Sequence, residues 1–183
     1  MNICVFGAAR DEIAPAYLKL GEELGEALAE RGHTMVFGAG AHGMMGAAAR
    51  GAHRRGGRIV GVAPYFFDRP GILFQDCTEL LQMDTMAQRK IRMRERSEAF
   101  IALPGGIGTM EELFEVITLR SLGQMDKPIV LLEAEDFWAP AVAMLESAVE
   151  KGFAQSSLLE QFRRFDRVED CLDYLEGEAR HDL

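Results

Sequence analysis

Short apolar runs alternate along the chain with longer stretches whose apolar positions recur every three or four residues. NICVFG (2–7), TMVFGAG (34–40), RIVGVAP (58–64) and KPIVLLE (127–133) read as strands, and CTELLQM (77–83) as a further short one. AFIALP (99–104) is apolar throughout, as expected for a strand buried on both faces of a parallel sheet. Between the runs, Tyr17, Leu20, Gly21, Leu24 and Leu28 fall at helical spacing, with Gly32 as a stop. Residues 43–55 predict a small-residue helix, 84–97 a charged helix opening on Asp84, and 108–122 and 136–151 two more. Residues 65–76 predict a loop, and 162–176 an extended piece followed by a last helix. Strands joined by helices predict an α/β fold over residues 1–183 as one domain, a Rossmann-like open parallel sheet with helices on both faces. Ligands on such sheets lie outside the carboxyl ends of the strands, and two glycine-rich segments fall there.

Composition narrows the class. A hydrophobic fraction of 48% fits a globular protein, and no apolar stretch is long enough to span a bilayer, so no membrane partner is expected. The opening MNICVFGAARDEI lacks the basic flank and apolar length of a signal peptide. Cys4, Cys77 and Cys171 are scattered and odd in number, which suits a reducing, cytoplasmic setting. His33, His42, His53 and His181 show no metal-ligand spacing, so neither a metal nor another cofactor is expected. A net charge of −9 argues against nucleic acid as the main partner. A small anion is still compatible, because backbone amides attract it whatever the global charge.

The first glycine segment, GAGAHGMMG (38–46), places Gly38, Gly40 and Gly43 in the spacing of the dinucleotide fingerprint. That reading also wants an acid at the end of the next strand, and VGVAP supplies none. Gly40 and Gly43 are therefore read as a second wall of a nucleotide pocket, against the plainer reading of a tight turn. An NAD-linked oxidoreductase is the weaker rival. The second segment, PGGIGT (104–109), is not a Walker loop, since no Gly-Lys-Ser/Thr follows. Gly105, Gly106 and Gly108, with Ile107 and Thr109, predict a turn using φ > 0 and a helix start whose free N–H groups and dipole favour phosphate or carboxylate.

Behind that turn stand Glu111, Glu112 and Glu115. Thr109 and Glu112 have capping-box spacing, which would give both a purely structural task. Three carboxylates at one helix start would repel each other by roughly 0.2–0.5 kcal/mol per pair and would repel an anion as well. That cost suits a site that must also stabilise a cation or activate water. The basic run RKIRMRER (89–96) places Arg89, Arg92 and Arg96 on one side of a helix, with Lys90 and Arg94 beside it. A solvated basic face is the plain reading. A single arginine gripping a carboxylate or phosphate is the sharper one.

RKIRM (89–93) and PGGIGTMEE (104–112) together resemble the RKxxM and PGGxGTxxE signatures of the LONELY GUY (LOG) family, and the likeness runs from ICVFG to AVEKGF. Its members are cytokinin riboside 5′-monophosphate phosphoribohydrolases, some carrying the label "lysine decarboxylase-like". The resemblance implies hydrolysis of the N-glycosidic bond of a purine nucleoside 5′-monophosphate to free base and ribose 5-phosphate. It implies Glu112 and Arg89 as catalytic residues, Lys90, Glu111 and Thr118 as substrate contacts, and a homo-oligomer, most simply a dimer, with active sites at the interface. The sequence departs from the family at GAAR (7–10), where Gly-Ser-Ser is usual and Arg10 is new, and at Ala87-Gln88, where a histidine is usual. A decarboxylase using pyridoxal phosphate needs a Schiff-base lysine, and the chain has Lys19, Lys90, Lys127 and Lys151 to offer. A non-catalytic nucleotide carrier on the same fold is the alternative of a different class.

Overall fold

The computed structural model describes residues 1–181. Seven strands form one sheet in the order β4-β3-β2-β1-β5-β6-β7, all paired in parallel. In chain order they are β1 (Asn2–Phe6), β2 (Thr34–Phe37), β3 (Arg58–Pro64), β4 (Glu79–Met83), β5 (Ala99–Ala102), β6 (Ile129–Leu132) and β7 (Arg163–Phe165). The helices are α1 (Pro15–Glu30), α2 (Gly43–Arg54), α3 (Met86–Glu95), α4 (Ile107–Ser121), α5 (Ala139–Glu150) and α6 (Val168–His181). The fold is the expected Rossmann-like α/β sandwich.

Strand residues alternate between two cores because successive side chains leave opposite faces of a sheet. Ile3, Val5, Met35, Phe37 and Ile101 pack with Leu24 and Leu28 of α1, Met44 and Ala48 of α2, and Leu172 and Leu175 of α6. Cys4, Phe6, Val36, Phe100 and Leu131 pack with Met93 of α3, Leu113 and Val116 of α4, and Trp138 before α5. Each face of the sheet thus carries three helices. The strand order reverses at β1, which pairs with β2 on one side and β5 on the other. That switch point is where an open α/β sheet leaves a crevice.

Two local features differ from the sequence reading. β2 stops at Phe37 and not at residue 40, because Ala39 takes φ 60° and leaves the extended region. α3 is capped by Thr85 and not Asp84: the Thr85 hydroxyl accepts from the Gln88 N–H at 3.2 Å, and the Gln88 side chain accepts from Asp84 and Thr85 N–H groups. Gln88, a departure from the family pattern, therefore has a structural task of its own.

The α1–α2 contact depends on missing side chains. A Cβ on Gly25 would lie 1.9 Å from the Ala48 carbonyl oxygen, and one on Gly51 would lie 2.3 Å from that of Glu22. Gly25→Ala is expected to cost about 1–3 kcal/mol by overpacking, a fall of roughly 2–4 °C in Tm per kcal/mol. Gly177→Ala in α6, where an added Cβ meets nothing within 4 Å, is the control. It should be neutral or raise Tm, because alanine is the better helix former. Thermal unfolding of the two variants checks both.

Candidate active site

At the carboxyl ends of β1 and β5 lies a cavity of about 560 Å³. Its floor is the loop Gly7–Arg10 and the turn Pro104–Thr109. Ile13, Tyr17, Met44, Met45, Met86 and Phe137 give it an apolar wall, and Arg89, Glu111 and Glu112 add charge.

The turn is built as an open nest. Gly106 caps α4 in an extended conformation with no side chain covering the helix start. The first α4 amide bonded to the backbone is Met110, which donates to the Gly106 carbonyl at 3.1 Å. Among the described residues, the N–H groups of residues 105–109 have no acceptor. Such amides, together with the helix dipole, have the geometry and polarity that suit a tetrahedral anion. The glycines act here by absence of bulk and not by φ > 0, which none of Gly105, Gly106 and Gly108 adopts. A Cβ on Gly105 would meet the Thr109 hydroxyl at 2.1 Å and the Ala8 nitrogen at 2.9 Å, whereas one on Gly106 or Gly108 would point into open space.

The capping-box reading of Thr109 and Glu112 does not hold. Thr109 is the third residue of α4 and is buried, its hydroxyl against Gly105. Glu112 makes no capping bond: its Oε1 accepts from Arg89 Nη1 at 2.8 Å. Arg89 Nε donates to the Val62 carbonyl at 3.0 Å, and Arg89 and Glu112 are 5% and 8% exposed. Space for the guanidinium comes from Gly38, where a Cβ would lie 1.7 Å from Arg89 Nη2. Burial holds the Glu112 carboxyl above the usual carboxylate range, with Arg89 pulling the other way. Being three residues after Thr109, Glu112 stands about 5–6 Å from it between Cβ atoms on the same helix face.

The crowding of acids has a structural answer that the sequence reading lacked. α3 lies against α4 and gives each carboxylate a cation. Glu112 takes Arg89, Glu111 takes Lys90, and Glu115 takes Arg94 at 3.0 Å with Lys90 at 3.6 Å. Nor is the run a solvated basic face, since Arg96 reaches Glu79 at 2.7 Å. Arg92 is the most exposed of the five basic side chains whose ion pairs are described, bonded at 3.2 Å to Glu95.

Of the residues singled out from sequence, Arg89, Gly105, Gly106, Ile107, Gly108, Thr109, Glu111 and Glu112 line the cavity. Lys90, Thr118, Gly40 and Gly43 do not. Lys90 is held by Glu111, and the Thr118 hydroxyl donates to the Phe114 carbonyl at 2.7 Å. Gly43, at φ 62°, sits behind the wall, and a Cβ there would meet the Ala8 carbonyl oxygen at 2.3 Å. Met44 and Met45, which follow it, supply the wall that Gly40 and Gly43 were expected to form. Sequence reasoning missed Phe137, which comes from the far side of the switch point, and a clasp between loops. Asp11 accepts from Gly43 N–H at 2.7 Å and faces His42 Nδ1 at 2.5 Å, while His42 Nε2 faces the Gly71 carbonyl at 2.7 Å. With acceptors at both nitrogens, the imidazolium is favoured, and the Asp11 bond raises the His42 pKa.

Gly38→Ala should drive Arg89 off Glu112 and cost about 1–3 kcal/mol in urea unfolding. Because both changes strike one contact, Gly38→Ala and Arg89→Ala together should cost clearly less than the sum of the two alone. Strict additivity would show that Gly38 does not serve Arg89.

The family described as "Possible lysine decarboxylase" matches residues 45–175. Cytokinin riboside 5′-monophosphate phosphoribohydrolase of Mycobacterium tuberculosis is 40% identical over 155 residues, covering 85% of this chain and 83% of that protein. A probable cytokinin riboside 5′-monophosphate phosphoribohydrolase of rice (Oryza sativa subsp. japonica) is 37% identical over 156 residues, covering 85% of this chain. The chain spans just under two thirds of that relative's length, 64%. A molybdenum cofactor binding protein from Rippkaea orientalis superposes with a TM-score of 0.75 at 20% identity, over 97% of this chain and 96% of that one, which shows a shared fold and no more. The decarboxylase description finds no chemical support in the cavity, which no lysine lines. With its signature motifs assembled around one cavity and these relatives alongside, the chain belongs to the LONELY GUY family.

Proposed function

We propose that the protein hydrolyses the N-glycosidic bond of a purine nucleoside 5′-monophosphate, releasing the free base and ribose 5-phosphate. The observation that carries this reading is the meeting, in one cavity, of an amide nest without acceptors and a buried carboxylate one helical turn away. The 5′-phosphate accepts hydrogen bonds from the N–H groups of residues 105–109 and from the Thr109 hydroxyl. The ribose then lies along the first turn of α4, beside Glu112. The base rests against Tyr17, Phe137 and the methionines, whose flat and pliable surfaces suit a planar ring.

As the bond from C1′ to the base nitrogen breaks, its electron pair leaves with the base and positive charge develops on the sugar. The Glu112 carboxylate stabilises that charge and takes a proton from the water that adds to C1′. The base takes up a proton at nitrogen from solvent and Glu112 gives the water's proton back to solvent, so the turnover consumes one water and restores the ionised carboxylate. Arg89 fixes the carboxylate's orientation. A pKa raised by burial makes Glu112 a better proton acceptor near neutral pH than an exposed glutamate. The reading includes a homodimer, for which Ile107, an apolar side chain at the nest that is 85% exposed in the single chain, is a candidate contact, and a cytoplasmic setting, which suits the free Cys4, Cys77 and Cys171.

Incubation with AMP and other purine monophosphates should release free base. Glu112→Gln should lower kcat by about 10²–10³-fold while ribose 5-phosphate still binds. Binding of the nucleotide by the unmodified protein without any base release would favour the carrier alternative.

The pH dependence follows from burial. The step needs ionised Glu112, so kcat/KM should fall as pH drops through an inflection above the ordinary glutamate value of about 4.3. The same shift acts on stability with the opposite sense. A carboxyl that binds its proton more tightly when folded contributes stability below its unfolded pKa and loses that contribution as pH rises through the folded one. A pH–rate profile whose acidic inflection falls at or below 4.3 would contradict this assignment.

A further inference from the structure

Resting on the proposed reading, we infer that Arg10 clamps the 5′-phosphate from the side opposite the nest and thereby selects phosphorylated over unphosphorylated nucleosides. The charged side chains lining the cavity are Arg10, Arg89, Glu111 and Glu112. Arg89 is committed to Glu112 and the Val62 carbonyl, and Glu111 is bonded to Lys90. Arg10 makes one loose contact, Nε to Glu12 Oε2 at 3.4 Å, with the two side chains 81% and 76% exposed. It is the lining cation whose donors are free for a ligand.

The backbone around Arg10 is fixed on both sides. The Ala8 N–H donates to the Pro104 carbonyl at 3.0 Å, and the Ala8 carbonyl accepts from Met45 N–H at 3.2 Å. The Ala8 nitrogen is also the atom that a Cβ on Gly105 would approach to 2.9 Å, so this loop abuts the nest. One residue beyond Arg10, the Asp11 carboxylate is tied to Gly43 N–H and His42. The Arg10 Cα therefore lies within about 7 Å of that of Ala8, on a short loop anchored at both ends. Its long side chain can sweep over the nest while the backbone stays in place.

The electrostatics call for such a group. A helix N-terminus offers the equivalent of about half an elementary charge, whereas a phosphate monoester carries about −1.5 to −2 near neutral pH. Glu111 and Glu112 add negative charge nearby, and their cations already serve them. A guanidinium answers the excess, because its planar fork meets two phosphate oxygens at once. The two alanines before it leave room for that approach and offer no hydroxyl in competition.

The test compares a purine nucleoside 5′-monophosphate with its parent nucleoside. Arg10→Ala should raise KM for the monophosphate about 10- to 100-fold, with kcat changed less than about threefold. Its kcat/KM for the nucleoside should not change, and Arg10→Lys should recover part of the loss. A calorimetric titration of ribose 5-phosphate into Glu112→Gln and into the double variant with Arg10→Ala should show the same weakening without relying on turnover. If the unmodified protein releases no base, the hydrolase reading fails, yet this titration still decides the role of Arg10. An Arg10→Ala protein whose KM and ribose 5-phosphate affinity stay within twofold would overturn the inference. So would an equal loss on nucleoside and nucleotide.

Discussion

The ion pair between Arg89 and Glu112 sets the terms for everything around it. Two charges removed from water lose solvation that a lone Coulomb contact does not restore, so a buried pair survives only with good geometry and further hydrogen bonds. Here Arg89 has a second acceptor in the Val62 carbonyl, and Gly38 leaves the space its guanidinium occupies. Burial still dominates at Glu112, whose carboxyl stays harder to ionise than usual despite the arginine. That imbalance is a structural cost, and it is the property a proton-accepting carboxylate needs.

The fold delivers the pair to the right place. α3 and α4 lie on one face of the sheet, on either side of β5 in the chain, and their charged edges interlock through Arg89, Lys90 and Arg94 against Glu112, Glu111 and Glu115. α4 begins at the switch point between β1 and β5, so its free amides open into the crevice there. One helix therefore carries both the open amides and the carboxylate, about one turn apart. The spacing between the amide nest and the acid is set by helix geometry and not by a flexible loop.

Much of this was legible in the sequence, and the misses have physical causes. Parallel strands buried on both faces announce themselves as unbroken apolar runs, and the order of strands and helices followed from them. The PGGIGT turn was readable as a candidate anion site because a helix start without bulky side chains leaves its first amides open. Its mechanism was not: the glycines clear space for a ligand and for Thr109 and do not bend the chain through φ > 0. Capping-box spacing at Thr109 and Glu112 was indistinguishable from a real cap until Arg89 appeared across the gap. Local sequence could not show that α3 would neutralise the acids of α4, since that pairing joins residues some twenty positions apart. The clasp of Asp11 with Gly43 and His42, and the wall supplied by Phe137, are long-range in the same way.

The most direct test is a crystal structure of the Glu112→Gln protein with an intact purine nucleoside 5′-monophosphate. The account predicts phosphate oxygens within hydrogen-bond distance of the amides of residues 105–109, and the ribose ring in contact with the side chain at position 112. A phosphate seated elsewhere in the cavity, or a ribose turned away from position 112, would contradict it.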